Sequence, residues 1–253
     1  MANPTIIIVP AACQTPAHYQ PLASALQAAN FTVAVIPLPS VGASPGLKSF
    51  DEDVAAVHKV VSSLVDDGDE VVVLMHSYGG LPGSAAMKGL GAKERAKDGK
   101  KGWVKRLVYV ASYALREGEA LPSKGDLEVM RSYGEGFDEK AGTILISKDA
   151  ALYAMFHDIP VSEGEHWASL LEPHSVGAMW SDQTYAAFKD IPSTYVVCEL
   201  DRIVSVEEQE GMIGNAKAVE PSAFDAVERL QSGHEPIFSK VGELVGVVER
   251  AVR

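Results

Sequence analysis

The chain has 253 residues, of which 47% are hydrophobic and 22% charged, and its formal net charge is −12. That acidic balance argues against nucleic acid or an anionic membrane as the main partner, since both are bound through a basic face. No apolar run reaches the ~18 to 20 residues that span a bilayer. A small-molecule substrate is the partner these numbers leave open, and they leave a homodimer open as well.

The N-terminal run Ile6–Val9 is wholly apolar and lacks a basic segment before it, so it reads as a strand covered on both faces and not as a signal peptide. Tyr19, Leu22, Leu26 and Ala29 then follow at helical spacing within 16–29. Phe31–Ile36 reads as the next strand, and the Pro/Gly/Ser stretch 37–46 as a loop. Over 50–65 the stripe Val54, Val57, Val61, Leu64 and Val65 predicts a helix with Asp51 as its cap. A strand is expected over Glu70–Met75 and a helix from Tyr78 to about Leu90. The basic stretch Lys93–Arg106 is expected to be a solvated surface loop. Leu107–Ala111 is a fourth core strand. Such alternation predicts a parallel sheet with right-handed crossovers.

From about Arg116 to Asp190 the alternation stops, giving way to short helical pieces with clustered His157, His166, Trp167, His174 and Trp180. It resumes with a strand over Ser193–Cys198, a helix over Val206–Ile213, a strand over Ala223–Leu230 and a helix over Pro236–Val252. The reading is an α/β core, 1–115 and 191–253, with an inserted, mainly helical cap over 116–190. Cys13 and Cys198 sit in or beside apolar runs and are expected to be free, buried thiols in a reducing, cytoplasmic setting.

The stretch VVVLMHSYGG, residues 71–80, carries the chemistry. A buried strand runs into Ser77, and Gly79 and Gly80 follow. A strand that turns abruptly into a helix holds the turn residue in strained backbone and needs small neighbours. Its hydroxyl then projects above the strand ends, at a helix N-terminus that favours negative charge. A serine also needs a histidine base oriented by a carboxylate. The expected chain order Ser, Asp/Glu, His is met by Ser77, Asp201 after the strand TYVVC, and His234 after AVERLQSG. Glu199 is the alternative acid. The loop PAACQ after the first strand offers the Ala12 N–H as an oxyanion donor beside the Tyr78 N–H. His76 is expected to pack away from the serine hydroxyl, Cys13 to pack, and Glu235 to face solvent. The histidines match no compact metal motif, and no phosphate loop is present, so neither metal nor cofactor is expected.

With these residues in view the chain resembles the α/β-hydrolase superfamily, specifically its small single-domain branch of plant methyl-ester esterases and hydroxynitrile lyases. The motifs are IIIVPAACQTPAHYQPLASAL, MHSYGG, LVYVASYALREGEALP, CELDRIVSVEEQEGMI and SGHEPIF, and the 156–195 segment is similar to that of fungal members. The resemblance implies Ser77 as nucleophile, His234 as base and Asp201 as orienting acid. It also implies departures. Glu235 stands where the lyases carry a lysine, and Ala11 where they carry a threonine. Met75 replaces the first glycine of G-x-S-x-G, and Pro10-Ala11 replaces the usual His-Gly.

The expected activity is cleavage of a small apolar ester or lactone through an acyl-enzyme, with an aromatic or polyketide-like substrate suggested by the apolar insertion. Ala11, Met155, Phe156, Trp167 and Trp180 are candidate pocket residues. The alternatives are a non-hydrolytic lyase, cyclase or isomerase using the same pocket, and a ligand-binding receptor with little turnover.

Overall fold

The computed structural model describes residues 3–128 and 136–253. Six strands form a parallel sheet: β1 (Thr5–Val9), β2 (Val33–Val35), β3 (Glu70–His76), β4 (Trp103–Val110), then β8 (Ser193–Cys198) and β9 (Ala226–Leu230). Their order is β2-β1-β3-β4-β8-β9. The chain leaves β1 toward β2 on one side and returns to β3 on the other. The gap between the carboxyl ends of β1 and β3 is therefore the reversal point where open α/β sheets place their sites.

Because side chains alternate along a strand, each buried strand feeds two cores. Ile7, Val9, Val71, Val73 and Met75 pack with Val57, Val61 and Val65 of the helix Asp51–Asp66. Ile6, Ile8, Val72 and Leu74 pack on the opposite face with Leu22 and Leu26 of the helix Gln20–Ala28. Leu244, Val247 and Val248 of the helix Val241–Ala251 complete that face. The wholly apolar strand runs in the sequence follow from this two-sided burial.

Between β4 and β8 the chain forms a three-stranded antiparallel sheet of β5 (Phe137–Asp138), β6 (Thr143–Ile144) and β7 (His174–Ser175). Short helices at Lys148–Ala154, Val161–Ala168 and Val176–Met179 accompany it. Two-residue strands carry too short an alternation to be seen in sequence, so only the helical pieces were foreseen. No helix among the described residues is long and apolar enough to cross a membrane. Cys13 and Cys198 are free and buried.

Three local expectations are corrected. Asp51 does not cap its helix: Phe50 is the N-cap, and Asp51, Glu52 and Asp53 lie in the first turn, where acidic charge suits the helix dipole. The helix after Ser77 is shorter than its apolar pattern suggested, a 3₁₀ turn over Ser77–Gly79 and an α-helix over Gly80–Ala85, followed by turns up to Gly89 at φ 80°. The basic stretch 93–106 is no solvated loop. It holds the helix Ala92–Lys97 and the start of β4, and Arg95 is buried. The Arg95 guanidinium donates to Val65 O at 2.7 Å, to Asp66 Oδ1 at 2.9 Å and to Gly102 O. It thus adds a donor to the Val65 carbonyl at the end of the helix Asp51–Asp66 and ties that helix end to Gly102 before β4.

Arg95→Ala removes the donor to the buried Val65 and Gly102 carbonyls and is expected to cost roughly 1–3 kcal/mol in urea unfolding. Lys100 reaches the same Asp66 carboxylate from an exposed position. Lys100→Ala is expected to stay within about 0.5 kcal/mol of the parent.

Candidate active site

The turn at Ser77 is built as the sequence anticipated. Ser77 has φ 51°, in the left-handed region that side chains avoid, at a cost of roughly 1–2 kcal/mol. The glycines that follow are there because backbone crowds them. A Cβ on Gly79 would collide with the carbonyl oxygens of Val9 and Pro10, and one on Gly80 with Ser112 Oγ and the Tyr113 carbonyl. Met75, the departure from G-x-S-x-G, is accommodated one helical turn on. Its thioether lies against Gly83, where a Cβ would come within 2.6 Å of Sδ.

The structure brings together three residues that are far apart in the chain. His234 Nε2 lies 2.9 Å from Ser77 Oγ, and His234 Nδ1 lies 2.8 Å from Asp201 Oδ2. A carboxylate only accepts, so Nδ1 carries the proton toward Asp201, and Nε2 is left to accept from the serine hydroxyl. The other oxygen, Asp201 Oδ1, accepts from the N–H groups of Ile203 and Val204 at 2.7 and 3.0 Å, which fixes the carboxylate. Glu199, the alternative acid, pairs instead with Arg229 and Gln231 on the outer face of β9. His234 is buried, and burial alone would lower its pKa. The Asp201 charge and hydrogen bond, with a contribution from Glu235, outweigh that, so the net shift is upward from 6.5.

Ser77 and His234 open onto a cavity of about 250 Å³. Ala11, Ala12, Leu121, Ile144, Ile146, Met155, Met179 and Ile203 supply most of its wall, and Arg202 is the cation on it. Among the described residues the Ala12 and Tyr78 N–H groups make no hydrogen bond within the protein, and both residues line the cavity. The neighbouring Ala11 N–H is already taken by the Tyr19 hydroxyl at 2.8 Å.

Of the pocket candidates, Ala11 and Met155 are on the wall and three aromatics are not. Phe156 and Trp167 pack on Phe238, with ring centroids 5.9 and 4.5 Å away. Trp180 lines a separate surface groove with Lys48 and Lys124. Composition places aromatics between β4 and β8 but not their direction: Phe156 and Trp167 turn toward Phe238, and Trp180 toward the surface groove. The wall is mainly aliphatic, with Tyr78 and Tyr113 as its aromatic members.

Sequence reasoning missed two buried carboxyl groups near the site. Glu235 was expected in solvent but is 0% exposed, with Oε1 accepting from Gln14 Nε2 at 2.8 Å. Nothing periodic marks a loop residue between β9 and the short helix Pro236–Ser239 as buried. His76 points away from the serine hydroxyl as expected, but it is hydrogen-bonded at both nitrogens and does more than pack. The other missed group is Asp53, which accepts from Tyr78 Oη at 2.5 Å and from Ser40 N at 2.9 Å. Its signal was present, since Asp53 falls four residues before Val57 on the buried stripe.

His76, His234 and Glu235 offer ligand-type atoms within 4.8 Å of one another. All four imidazole nitrogens already have protein partners. The arrangement is thus a hydrogen-bonded core in which a metal would have to displace existing contacts.

Gly79→Ala, which meets rigid backbone carbonyls, is expected to destabilise by more than Gly83→Ala, which meets a flexible thioether. Overpacking of this kind costs roughly 1–3 kcal/mol, and thermal unfolding of the two variants side by side reads the order.

The alpha/beta hydrolase family model matches residues 6–246. The chain is 32% identical over 253 residues to Alpha/beta hydrolase nvfD of Aspergillus novofumigatus, with 99% of this chain and 97% of that protein covered. It is 23% identical over 247 residues to Methylesterase 17 of Arabidopsis thaliana, covering 89% of this chain and 83% of the relative. The crystal structure of the methylesterase MES16 from Arabidopsis shares the fold at a TM-score of 0.72 and 20% identity, over 98% of both chains. On the family match and the nvfD alignment, the chain belongs to the alpha/beta hydrolase family.

Proposed function

We propose that this hydrolase is a serine esterase or lactonase that cleaves a small, apolar ester through an acyl-enzyme. The observation that carries the reading is the unbroken line Ser77 Oγ, His234 Nε2, His234 Nδ1, Asp201 Oδ2 at the mouth of an apolar cavity. The similarity to methylesterases supports ester chemistry.

In this reading Ser77 Oγ attacks the carbonyl carbon while His234 Nε2 takes its proton. Asp201 holds the imidazole in the tautomer that leaves Nε2 free and stabilises the imidazolium that forms. The oxyanion is received by the Ala12 and Tyr78 N–H groups, worth about 10²–10³ in rate per donor. His234 then protonates the leaving alcohol, and the same histidine activates water to release the acid. The cavity, about 250 Å³, is below the ~300 Å³ at which drug-sized pockets begin, so a short or compact acyl group fits it best. Residues 116–190, which supply Leu121, Ile144, Met155 and Met179, act as the roof.

Intact mass after incubation with a fluorophosphonate is expected to show one adduct on the parent and none on Ser77→Ala. Folded parent protein that never labels would refute the nucleophile assignment. A labelled protein that turns over no ester or lactone would move weight to the lyase or receptor readings. On a substrate the parent cleaves, Ser77→Ala and His234→Ala are expected to lose about 10⁶ in kcat, and Asp201→Asn about 10⁴.

The pH dependence follows from the raised histidine. Only neutral His234 can accept the serine proton, so kcat/KM is expected to fall as pH drops through an apparent pKa above 6.5. Asp201→Asn removes the main charge that holds this value up, so the acid limb of its residual activity is expected at lower pH.

A further inference from the structure

Behind the serine and its base lies a second, wholly buried set of polar side chains that the proposed chemistry does not consume. Gln14, Tyr19, His76 and Glu235 are each 0–1% exposed. Their hydrogen bonds have a direction that can be worked out. His76 Nε2 lies 2.8 Å from His234 O. A carbonyl only accepts, so Nε2 carries the proton and Nδ1 is an acceptor. Tyr19 Oη, 2.8 Å from Nδ1, therefore donates to it. The phenol oxygen in turn accepts the Ala11 N–H. Burial lowers the His76 pKa to about 3, which keeps this neutral tautomer in place.

A second link runs in parallel. Gln14 Nε2 donates to Glu235 Oε1 at 2.8 Å, and Glu235 Oε2 lies 4.0 Å from His76 Nδ1. Gln14 Oε1 and Glu235 Oε2 are buried oxygens with no partner among the described residues. As an amide and a carboxylate both would only accept; a neutral Glu235 turns Oε2 into a donor. Burial is the largest influence on this carboxyl and pushes it up to about 7. His234 and Gln14 pull against that, while Asp201 and Asp158 add to it. The neutral acid is thus accessible at ordinary pH.

Both links join the same two pieces of backbone. At one end are Ala11 and Gln14, which flank Ala12 on the loop after β1. At the other are the His234 carbonyl and the Glu235 side chain, on the loop that carries the base. His76, the residue before Ser77, stands between them. We propose that Gln14, Tyr19, His76 and Glu235 are positioning residues, a buried bracket that locks the oxyanion loop to the base loop behind the nucleophile.

This inference rests on the esterase reading above. The bracket consumes the Ala11 N–H, so the loop presents Ala12 N–H to the cavity and not its neighbour. It also holds His234 through its own carbonyl, independently of Asp201. Catalytic groups misplaced by about 1 Å lose on the order of 10² in rate, so the effect belongs in kcat and not in KM.

The test uses p-nitrophenyl butyrate turnover and the rate of fluorophosphonate inactivation, on proteins shown by cooperative thermal unfolding to be folded. Tyr19→Phe removes the acceptor for Ala11 N–H and the donor to His76. Glu235→Leu removes the acceptor for Gln14. Each is expected to lower kcat and the inactivation rate by about 10- to 100-fold, with KM within about three-fold. Because both act on one loop, the double variant is expected to lose less than the product of the two single losses. Glu235→Gln, which keeps the shape and hydrogen bonding of the neutral acid, is expected to recover most of the rate lost in Glu235→Leu.

Folded Tyr19→Phe and Glu235→Leu with parental kcat and inactivation rate would overturn the bracket, as would losses confined to KM. Should Glu235→Leu fail to fold, Tyr19→Phe, a change of one oxygen atom, decides the matter by the same criteria. A parent protein that does not label at all would refute the esterase reading and, with it, any catalytic role for the bracket.

Discussion

The close approach of two backbones at Gly79 is the constraint on which the rest of the site depends. The turn after β3 presses against the Val9 and Pro10 carbonyls at the end of β1, so no side chain fits between them. That contact sets the Ser77 hydroxyl and the loop bearing Ala12 at a fixed separation, across the point where the sheet order reverses. Ser77 holds a positive φ at this crowded turn. Met75 shows how local the requirement is. A long side chain is tolerated two residues before the serine because Gly83, one turn into the next helix, yields the space.

Burial then decides the electrostatics. The same dry surroundings act on His76 and His234 in opposite ways. His76 faces a phenol and a carbonyl, so desolvation prevails and it stays neutral. His234 faces the Asp201 carboxylate, whose charge and hydrogen bond outweigh desolvation, so it becomes the stronger base. Two imidazoles 5.1 Å apart, centroid to centroid, thereby differ in the direction their basicity is moved.

The segment between β4 and β8 does more than line the cavity. His157 Nε2 donates to Leu200 O at 3.0 Å, and Asp158 Oδ2 accepts from Gly233 N at 2.5 Å. Two consecutive residues of this segment thus grip the loops before Asp201 and His234. Glu172 N donates to Cys13 O at 2.9 Å on the loop after β1. Each loop that bears a candidate catalytic group, apart from the turn at Ser77, has a hydrogen bond to this segment, so segment and site share one scaffold.

The sequence by itself determined what depends on neighbours along the chain. β-branched runs buried on both faces read as parallel strands, and β8 appears at its predicted limits, Ser193–Cys198. A serine before paired glycines read as a tight turn, and chain order named Asp201 and His234 as the candidates that the structure brings to Ser77. The tertiary structure alone decided what depends on groups far apart in sequence. Arg95 looked like one more cation of a solvated loop until the end of a distant helix offered it the Val65 carbonyl and the Asp66 carboxylate. Phe156, Trp167 and Trp180 were legible as apolar but not as to where they point. Glu235, an anion by its letter, sits in the interior because Gln14, 221 positions away, donates to it there. Local pattern encodes period and turn chemistry; whether a polar side chain is buried is settled by the partner that meets it, and no spacing in the chain records that meeting.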